Sequence, residues 1–358
     1  MTKTRVRYPA LYIDLEKLRH NTRQLAQLCK GRGIDVAAVT KVYAAIPEVA
    51  EAQASCGVQY LADSRVENLR RMKDIPLPKM LLRLPSPSRV DEVVELADIS
   101  LNSELQTLRA LSEAAVRAGK THEVLLMIDL GDLREGVLKE DAVAMAQEIV
   151  KLPGLSLAGV GVNLTCYGGV LPSPENLGEL VAVADEIESR CGVTLKIISG
   201  GNSSSLKLMQ EGGIPDRINL LRLGESIVLG LETADGAHIP GTHRDVFTLA
   251  VEVIELKEKP SMPIGEIGRD AFGEKPVFED KGMMKRAILS IGRQDARIEN
   301  LSPRDEGAEI IGASSDHMLL DVTACERPLK VGDIMEFNLS YGGLLSVITS
   351  SYVSKIIR

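Results

Sequence analysis

The amino-acid sequence predicts an α/β chain in which a (β/α)8 TIM-type barrel is followed by a mostly β C-terminal domain. The first observation behind this prediction is that short apolar runs, typical of buried parallel strands, alternate with helical spacing between residues 35 and 230. The second is that helical spacing nearly disappears after residue 236. We therefore expect domains at residues 1–235 and 236–358, with the first residues, up to about residue 10, able to pack on the second domain.

Eight apolar runs predict the strands of the barrel. They cover residues 36–39, 60–62, 80–84, 99–101, 124–129, 157–164, 195–199 and 218–223. Helical spacing separates them, for example over residues 104–118 and 174–190, and another helix over residues 15–29 precedes the first strand. A doubly wound open sheet is the alternative, but its typical glycine-rich first turn is missing, since no GxGxxG follows any of these runs.

Alternating apolar and polar residues predict antiparallel strands in the second domain. The clearest stretches are residues 248–256, 318–322, 334–338 and 346–353. Glycines and prolines separate them, which is typical of turns between short strands.

Composition and charge exclude several classes of protein. The chain has 358 residues, of which 44% are hydrophobic and 26% charged, as in ordinary globular domains. A net charge of -8 gives no basic footprint for nucleic acid. No apolar run reaches the roughly 20 residues of a membrane span, and the start lacks a signal peptide's apolar core. The 5 cysteines form no CxxC pair and the 5 histidines have no metal-ligand spacing, so we expect a cytoplasmic protein without a metal site.

One lysine stands where the chemistry of a barrel is expected. Lys41 follows the apolar run 36–39, and active sites of these barrels lie at the carboxyl ends of the strands. Burial there disfavours the charged amine and lowers its pKa, which suits a lysine to form a Schiff base. The alternative is a lysine in a solvated loop just past the strand, and position alone leaves both open.

Three further loops at predicted strand ends carry candidate binding residues. Residues 129–136 (DLGDLREG) place Arg134 in a glycine-bearing loop, although an ordinary turn with a surface ion pair has the same pattern. Residues 199–205 (SGGNSSS) combine backbone N–H groups with small hydroxyls at a helix start, which favours an anion site over a serine-capped turn. Arg222 and Gly224 end the eighth predicted strand, and glycine there lets the backbone approach a ligand closely.

Together these motifs resemble the alanine racemase family of fold-type III pyridoxal-phosphate (PLP) enzymes, over nearly the whole chain. The matching stretches are residues 9–15 (PALYIDL), 38–41 (AVTK), 129–136 (Asp-x-Gly-x-x-Arg-x-Gly), 202–203 (Asn-Ser), 222–224 (Arg-x-Gly) and 351–352 (Ser-Tyr). Each motif alone is a weak signal, but their order and their positions at strand ends make the combination a strong one.

The resemblance implies pyridoxal 5'-phosphate as the cofactor and assigns roles around it. Lys41 becomes both the Schiff-base lysine and the first catalytic base. Arg134 is then near the ring oxygen of the cofactor, and Arg222 faces the pyridine nitrogen. The rest of the implied cofactor-binding set is Tyr43, Asn202, Ser203, Ser204, Gly224, Glu225 and Tyr352.

Within the family the sequence is most similar to the ornithine racemase subgroup, whose members act on basic amino acids such as ornithine and lysine. The resemblance implies two-base proton exchange at Cα in a homodimer with shared active sites. The family's catalytic tyrosine, supplied by the partner subunit, has no counterpart, because residues 263–266 read PIGE. Arg293 likewise stands in place of a second family tyrosine. Candidates for the second base are Glu266, Asp270, Asp295, Asp316 and His317.

Two other functions are compatible with the same barrel. A PLP-dependent decarboxylase of basic amino acids typically carries a cysteine–aspartate pair in its β domain, where this chain has Ser314, Ser315 and Asp316. A non-catalytic PLP-binding protein of this barrel type lacks a second domain, whereas this chain continues past residue 236. A purely structural protein does not account for the clustered phosphate-type motifs.

Overall fold

A closed barrel of parallel strands forms the larger of two units, Glu16–Arg244. The computed structural model describes residues 6–269, 272–273 and 275–358. Along the chain, strand β1 (Ala10–Ile13) and helix α1 (Leu15–Lys30) come first. The strands that follow are β2 (Asp35–Val39), β3 (Tyr60–Asp63), β4 (Lys79–Leu81), β5 (Ile99–Asn102), β6 (His122–Asp129), β7 (Val137–Leu138), β8 (Leu155–Gly161), β9 (Ile197–Ser199) and β10 (Leu220–Leu223).

The barrel closes through eight of these strands. Neighbouring strands follow the order β5-β4-β3-β2-β10-β9-β8-β6, and β6 pairs with β5 to complete the ring, while the short β7 lies beside β6. The helices between the strands are α2 (Pro47–Ala54), α3 (Val66–Arg71), α4 (Val90–Leu96), α5 (Leu105–Ala118), α6 (Ala142–Ile149), α7 (Pro174–Cys191), α8 (Ser205–Gln210) and α9 (Glu225–Leu229). All eight predicted runs therefore contain or overlap a barrel strand.

The interior of the barrel is filled by apolar side chains. Small residues such as Ala37, Ala62 and Ala158 alternate with larger ones such as Met80 and Met127, and all are buried. This mixture lets layers of side chains interdigitate, so the barrel is a packed core and not a pore. A ligand site of the barrel is consequently expected at the mouth, where the strands end.

The larger unit continues past the division predicted after residue 235, as far as Arg244. Asn21 on α1 is buried and holds this extension, since its side chain accepts from the His243 N–H at 2.7 Å and donates to the His243 carbonyl at 2.8 Å. Gln24 donates to the Pro240 carbonyl at 2.8 Å. The boundary lies later because this irregular loop is fastened to the first helix, which no periodicity in the loop reveals.

The second unit combines the N-terminal segment ending at Leu15 with Asp245–Arg358. Its further elements are β11 (Phe247–Pro260), β12 (Met283–Leu289), β13 (Leu301–Pro303), β14 (Glu309–Ala313), β15 (Met318–Asp321), β16 (Ile334–Leu339), α10 (Tyr341–Thr349) and β17 (Ser354–Ile357). Antiparallel pairing gives the order β13-β16-β11-β12-β15-β14. Strand β1 pairs antiparallel with β11 and parallel with β17, which places the start of the chain in this sheet.

In one stretch predicted as a strand, residues 346–353, the first half lies in helix α10 and the rest in no strand. The Ser340 hydroxyl accepts from the Gly343 N–H at 3.4 Å and so caps the start of the helix. Leu344, Val347 and Ile348 are buried at helical spacing. The β-branched residues favoured a strand locally, but tertiary packing of this apolar face outweighs that preference.

Candidate active site

Lys41 lies at the mouth of the barrel, directly after β2. Thr40 separates it from the strand, and a single 3-10 turn, Lys41–Tyr43, follows. The turn ends at Ala44, whose backbone is left-handed with φ 52° and whose N–H donates to the Lys41 carbonyl at 3.1 Å. The Lys41 residue is only partly buried.

The protonation of Lys41 is set by burial and by charges from neighbouring loops. Burial is the largest cause and lowers the pKa of the amine below 10.5, and the positive charge of Arg134 acts in the same direction. Cys166, Asp63 and Glu135 act the other way and raise this pKa. A lowered pKa increases the share of neutral amine, which is the nucleophilic form that a carbonyl cofactor requires.

The loop after β6 explains the spacing of its motif. Asp129 accepts from the N–H groups of Gly131 at 2.9 Å and Leu133 at 3.1 Å, which folds the loop back on the strand end. Gly136 has a φ of +135°, and a Cβ there would lie 2.5 Å from the Asp129 nitrogen. Only glycine fits where the chain at residue 136 passes this close to Asp129, and this close passage holds the loop so that Arg134 lies at the mouth.

Two arginines of the site are joined by Glu135. The Nη2 of Arg134 donates to the Glu135 carboxylate at 2.6 Å, and the Asn163 amide donates to the same carboxylate. Arg222 in turn donates to the Asn163 Oδ1 at 2.7 Å. Glu135 raises the pKa of Arg134, so both guanidiniums stay charged in a fixed arrangement.

Arg222 is the buried cation of the site, with 3% of its surface exposed. Besides Asn163, it donates to the Ser199 hydroxyl at 2.5 Å and to the Val162 carbonyl at 2.7 Å. Burial lowers the pKa of Arg222 to about 10, against the opposing effect of Glu135. The guanidinium is therefore held rigidly at the end of β10 by neutral acceptors.

The serine-rich loop after β9 forms a buried polar corner. Asn202 shapes it, since its Oδ1 accepts from the Ser204 N–H and its Nδ2 donates to the Leu164 carbonyl, both at 2.9 Å. The Ser203 hydroxyl lies 3.0 Å from the Ser226 hydroxyl and accepts from the Ser226 N–H at 3.3 Å. The structure thus brings the loops after β9 and β10 together, as the sequence predicts.

The Ser204 hydroxyl is the part of this corner that fits an incoming anion. Its Oγ is buried and, among the described side chains, is one of the few buried polar atoms without a hydrogen-bond partner. Such an atom costs about 1–3 kcal/mol until it is satisfied. Beside it, Gly224 passes so close to Val39 that a Cβ would lie 3.2 Å from the valine Cβ. A phosphate oxygen accepts hydrogen bonds from an unpartnered hydroxyl and from backbone N–H groups that no side chain covers, and this corner offers both kinds of donor.

Tyr43 requires a correction. The sequence resemblance places it among the cofactor-binding residues, but its side chain is completely buried and its hydroxyl donates to Gln53 at 2.6 Å. Burial raises the pKa of Tyr43 well above 10.0, so the phenol stays neutral. Because Tyr43 stands only two residues after Lys41, its ring points into the wall beside α2 and supports that helix.

The remaining predicted cofactor residues divide between the two units. Glu225 is part-buried after β10; burial raises the pKa of its carboxyl, and the charge of Lys41 lowers it, which places the two groups within electrostatic reach. Tyr352 is 59% exposed and belongs to the second unit. Its assignment to the phosphate stays a prediction.

The candidate second bases all belong to the second unit. Glu266, Asp316 and His317 are exposed, whereas Asp295 is buried and accepts from the Ser350 hydroxyl at 2.6 Å. Asp270 lies outside the described residues. The choice of the second base among them stays a prediction.

Several site residues escaped the sequence analysis. Asp63, Asn163 and Cys166 contribute bonds or charge to the mouth. Asp63 follows the apolar run 60–62 directly, and a carboxylate at a strand end is the signal that would have found it. Within the described part of the chain, no group of three or more His, Cys, Asp or Glu side chains could hold a metal, and no helix could cross a membrane.

A strand-end lysine, a buried arginine and a serine-rich corner lie at the mouth of one closed barrel of parallel strands. The chain belongs to the alanine racemase N-terminal domain family, whose model matches residues 13–231. This confirms the resemblance predicted from the motifs.

Relatives and solved structures agree with this assignment. An ornithine racemase from Acetoanaerobium sticklandii is 50% identical over 97% of this chain and 99% of that protein, and a lysine racemase from Thermotoga maritima is 40% identical over 98% of each. The alanine racemase of Clostridium difficile 630 matches 99% of this chain and 97% of that chain with a TM-score of 0.77 at 19% identity. The last comparison confirms the predicted fold, a barrel with a mostly β second domain.

Proposed function

We propose that this protein is a PLP-dependent racemase of a free basic amino acid, ornithine or lysine. The observation that carries the chemistry is the partly buried Lys41, with its lowered pKa, at a mouth that also contains the unpartnered Ser204 hydroxyl. The substrate class is supported by the 50% and 40% identity to ornithine and lysine racemases over nearly the whole chain. Neither the decarboxylase nor the non-catalytic alternative is favoured by these relatives.

The residues present fit PLP. Lys41 would hold it covalently, Ser204 and the neighbouring backbone would bind its phosphate, and Arg222 would face the ring nitrogen, with Arg134 at the ring oxygen. An alanine racemase from Bartonella henselae with covalently bound pyridoxal phosphate, similar at a TM-score of 0.74 and 18% identity over 98% of this chain and 99% of that chain, supports the same fold for the site. When bound, the cofactor withdraws electrons from the substrate and makes its Cα–H acidic.

The protein supplies the proton transfers. With the substrate bound in place of the lysine, the freed Lys41 amine would accept the Cα proton from one face in one direction of the reaction and donate it to that face in the reverse direction, and its lowered pKa favours the accepting form. Inversion also needs a proton donor on the other face, and the second unit of a partner copy is the proposed source. A positioned acid or base typically contributes about 100- to 10,000-fold in rate.

Replacing Ser204 by alanine tests the phosphate corner. The hydroxyl is buried without a partner in the cofactor-free protein, so its removal should leave the melting temperature equal to or above that of the wild type. Loss of one hydrogen bond of about 1–1.5 kcal/mol to a phosphate oxygen should weaken PLP about tenfold. Ser205→Ala is the matched control, because the Ser205 hydroxyl donates to the Gly200 carbonyl at 2.7 Å. The control should lose stability and keep its affinity for PLP. If Ser204→Ala also lost stability and kept its affinity for PLP, the assignment of Ser204 to the phosphate site would be wrong.

A homodimer with shared active sites is part of the proposal. Exposed apolar side chains between residues 262 and 283 of the second unit support it: Met262, Ile264, Phe272, Val277, Phe278 and Met283. Such a set is typical of a surface that another chain covers. Sedimentation should give twice the 38.7 kDa chain mass at micromolar concentration. A fully active monomer would rule out sharing of the site.

The activity is tested with purified protein, PLP and L-ornithine, followed by chiral chromatography of the products. We expect D-ornithine, approaching an equal mixture of the two enantiomers. Putrescine would identify a decarboxylase instead, and unchanged L-ornithine and L-lysine would leave only a binding protein. L-Alanine, offered in a parallel reaction, should turn over more slowly than the basic substrates.

A further inference from the structure

Asp63 is a buried carboxylate directly behind Lys41. It is the last residue of β3, the strand beside β2, and its side chain is fully buried. Its Oδ1 accepts from the Arg65 N–H and the Asn68 amide, both at 3.0 Å, and its Oδ2 accepts from the Thr40 hydroxyl at 2.6 Å. Three donors on two oxygens suit an ionised carboxylate.

Thr40 connects this carboxylate to the lysine. It is the residue before Lys41, its N–H donates to the Ala62 carbonyl at 2.9 Å, and its own carbonyl accepts from the Ala45 N–H at 3.2 Å. Thr40 therefore precedes the turn that carries Lys41 and also accepts a hydrogen bond from Ala45, which lies just after that turn. The hydrogen bond to Asp63 fixes the side chain of Thr40. A charge-assisted hydrogen bond of 2.6 Å is among the strong ones.

Asp63 also acts on the amine through its charge. The titratable and charged groups that act on Lys41 lie at the ends of four strands: Asp63 is the last residue of β3, Arg134 and Glu135 follow β6, Cys166 follows β8, and Glu225 follows β10. Asp63 differs from the other carboxylates because it is locked beneath the turn, away from solvent and from the ligand side. Burial raises the pKa of Asp63 itself, and its bonds to Thr40, Asn68 and Arg65 lower it.

We propose that Asp63 is a positioning residue for Lys41: through Thr40 it fixes the turn that presents the amine, and its negative charge contributes to holding a proton on that amine. No contact with cofactor or substrate is needed for either effect. The role in turnover rests on the proposed racemase function, but the effect on the amine belongs to the cofactor-free protein and is measurable there.

Two variants separate the charge from the bond. Asp63→Asn removes the charge while its oxygen can still face Arg65 and Asn68, and its amide can donate to Thr40. Thr40→Val removes the hydroxyl and keeps both the shape and the Asp63 charge. Asp98→Asn is the matched control, since Asp98 accepts from the Lys79 N–H at 2.7 Å at the amino end of β4, the opposite end of the barrel.

The test is competitive acetylation of the cofactor-free protein across a pH series, with the Lys41 peptide quantified by mass spectrometry. Only neutral amine reacts, and loss of a nearby negative charge lowers the pKa of an amine. The pH at which half of the Lys41 amine is acetylated should therefore be lower in Asp63→Asn than in the wild type. In Asp98→Asn this pH should equal the wild-type value. In the direction in which Lys41 accepts the proton, activity rises with pH as this amine becomes neutral, so the acidic limb of the racemase pH profile should also move to lower pH.

Thr40→Val reports on the bond alone. Its labelling curve should stay with the wild type, and kcat should fall about 10- to 100-fold, as for a reacting group displaced by about 1 Å. A wild-type labelling curve in folded Asp63→Asn would overturn the role of the charge, and an unchanged kcat in Thr40→Val would overturn the positioning role. If Asp63→Asn does not fold, Thr40→Val decides the proposal. A wild type without racemase activity but with the expected labelling shift would refute the proposed function only.

Discussion

Replacing Lys41 by alanine is expected to abolish the yellow absorbance of the PLP-loaded protein and to reduce racemase turnover by at least about 100- to 10,000-fold. The amine is the group that the mouth of the barrel presents, partly buried and with a lowered pKa. Alanine removes the covalent attachment and the proton acceptor together. The measurement is an absorbance spectrum after gel filtration in the presence of PLP, followed by chiral analysis of ornithine.

Lys207→Ala is the matched control for this experiment. Lys207 lies on α8, in the loop region that also carries the phosphate corner, but it is half exposed and paired with Asp235 on the surface. An exposed ion pair of this kind contributes about 0–1 kcal/mol, so the variant should keep its colour and its turnover. If Lys41→Ala kept the yellow absorbance and Lys207→Ala lost it, the assignment of the attachment site would be wrong.

Replacing Arg222 by methionine is expected to cost both stability and activity. The guanidinium donates to the Ser199 hydroxyl, the Val162 carbonyl and the Asn163 Oδ1, and these partners lie in or near the barrel interior. Methionine fills similar space without donors, and each buried acceptor left unpaired costs about 1–3 kcal/mol. The melting temperature should fall by several degrees, and the proposed partner of the PLP ring nitrogen is lost as well.

Two further arginine variants serve as comparisons for Arg222→Met, one with an intermediate expected effect and one with almost none. Arg222→Lys keeps a positive charge but cannot reach three acceptors in different directions, so it should fall between the wild type and methionine. Arg217→Met removes an arginine that pairs with Asp185 and Glu188 at the surface. The free energy of unfolding of this variant should lie within about 1 kcal/mol of the wild-type value. An Arg222→Met protein with wild-type stability and turnover would show that the buried network has no functional role.

The barrel could be predicted from the sequence because each of its strands is buried on both faces. The run 36–39 corresponds to β2 (Asp35–Val39) and the run 99–101 to β5 (Ile99–Asn102), within a residue at each end. A strand covered by helices outside and side chains inside has no polar face, so it stands out as an apolar run. Helix α10 was missed for the opposite reason, since its β-branched residues favour a strand unless its tertiary packing is known.

The candidate site was predicted only in part. Lys41 and Arg134 follow strands and Arg222 lies near the end of β10, and the rule that barrel chemistry lies at strand ends locates all three. The bonds between them were not predictable, because Glu135 meets Asn163 only after the ring of strands closes. Tyr43 illustrates the opposite error. Its position two residues after the lysine resembles that of a ligand-binding residue, but its side chain is buried against α2 and its hydroxyl donates to Gln53.

Borohydride reduction of the PLP-loaded protein, followed by proteolysis and mass spectrometry of the peptides, tests the central claim most directly. Reduction makes the bond between PLP and its lysine permanent, so the modified peptide identifies the attachment site. We predict one phosphopyridoxyl group per chain, on the peptide that contains Lys41. Modification of any other lysine, or an unmodified protein, would contradict the account.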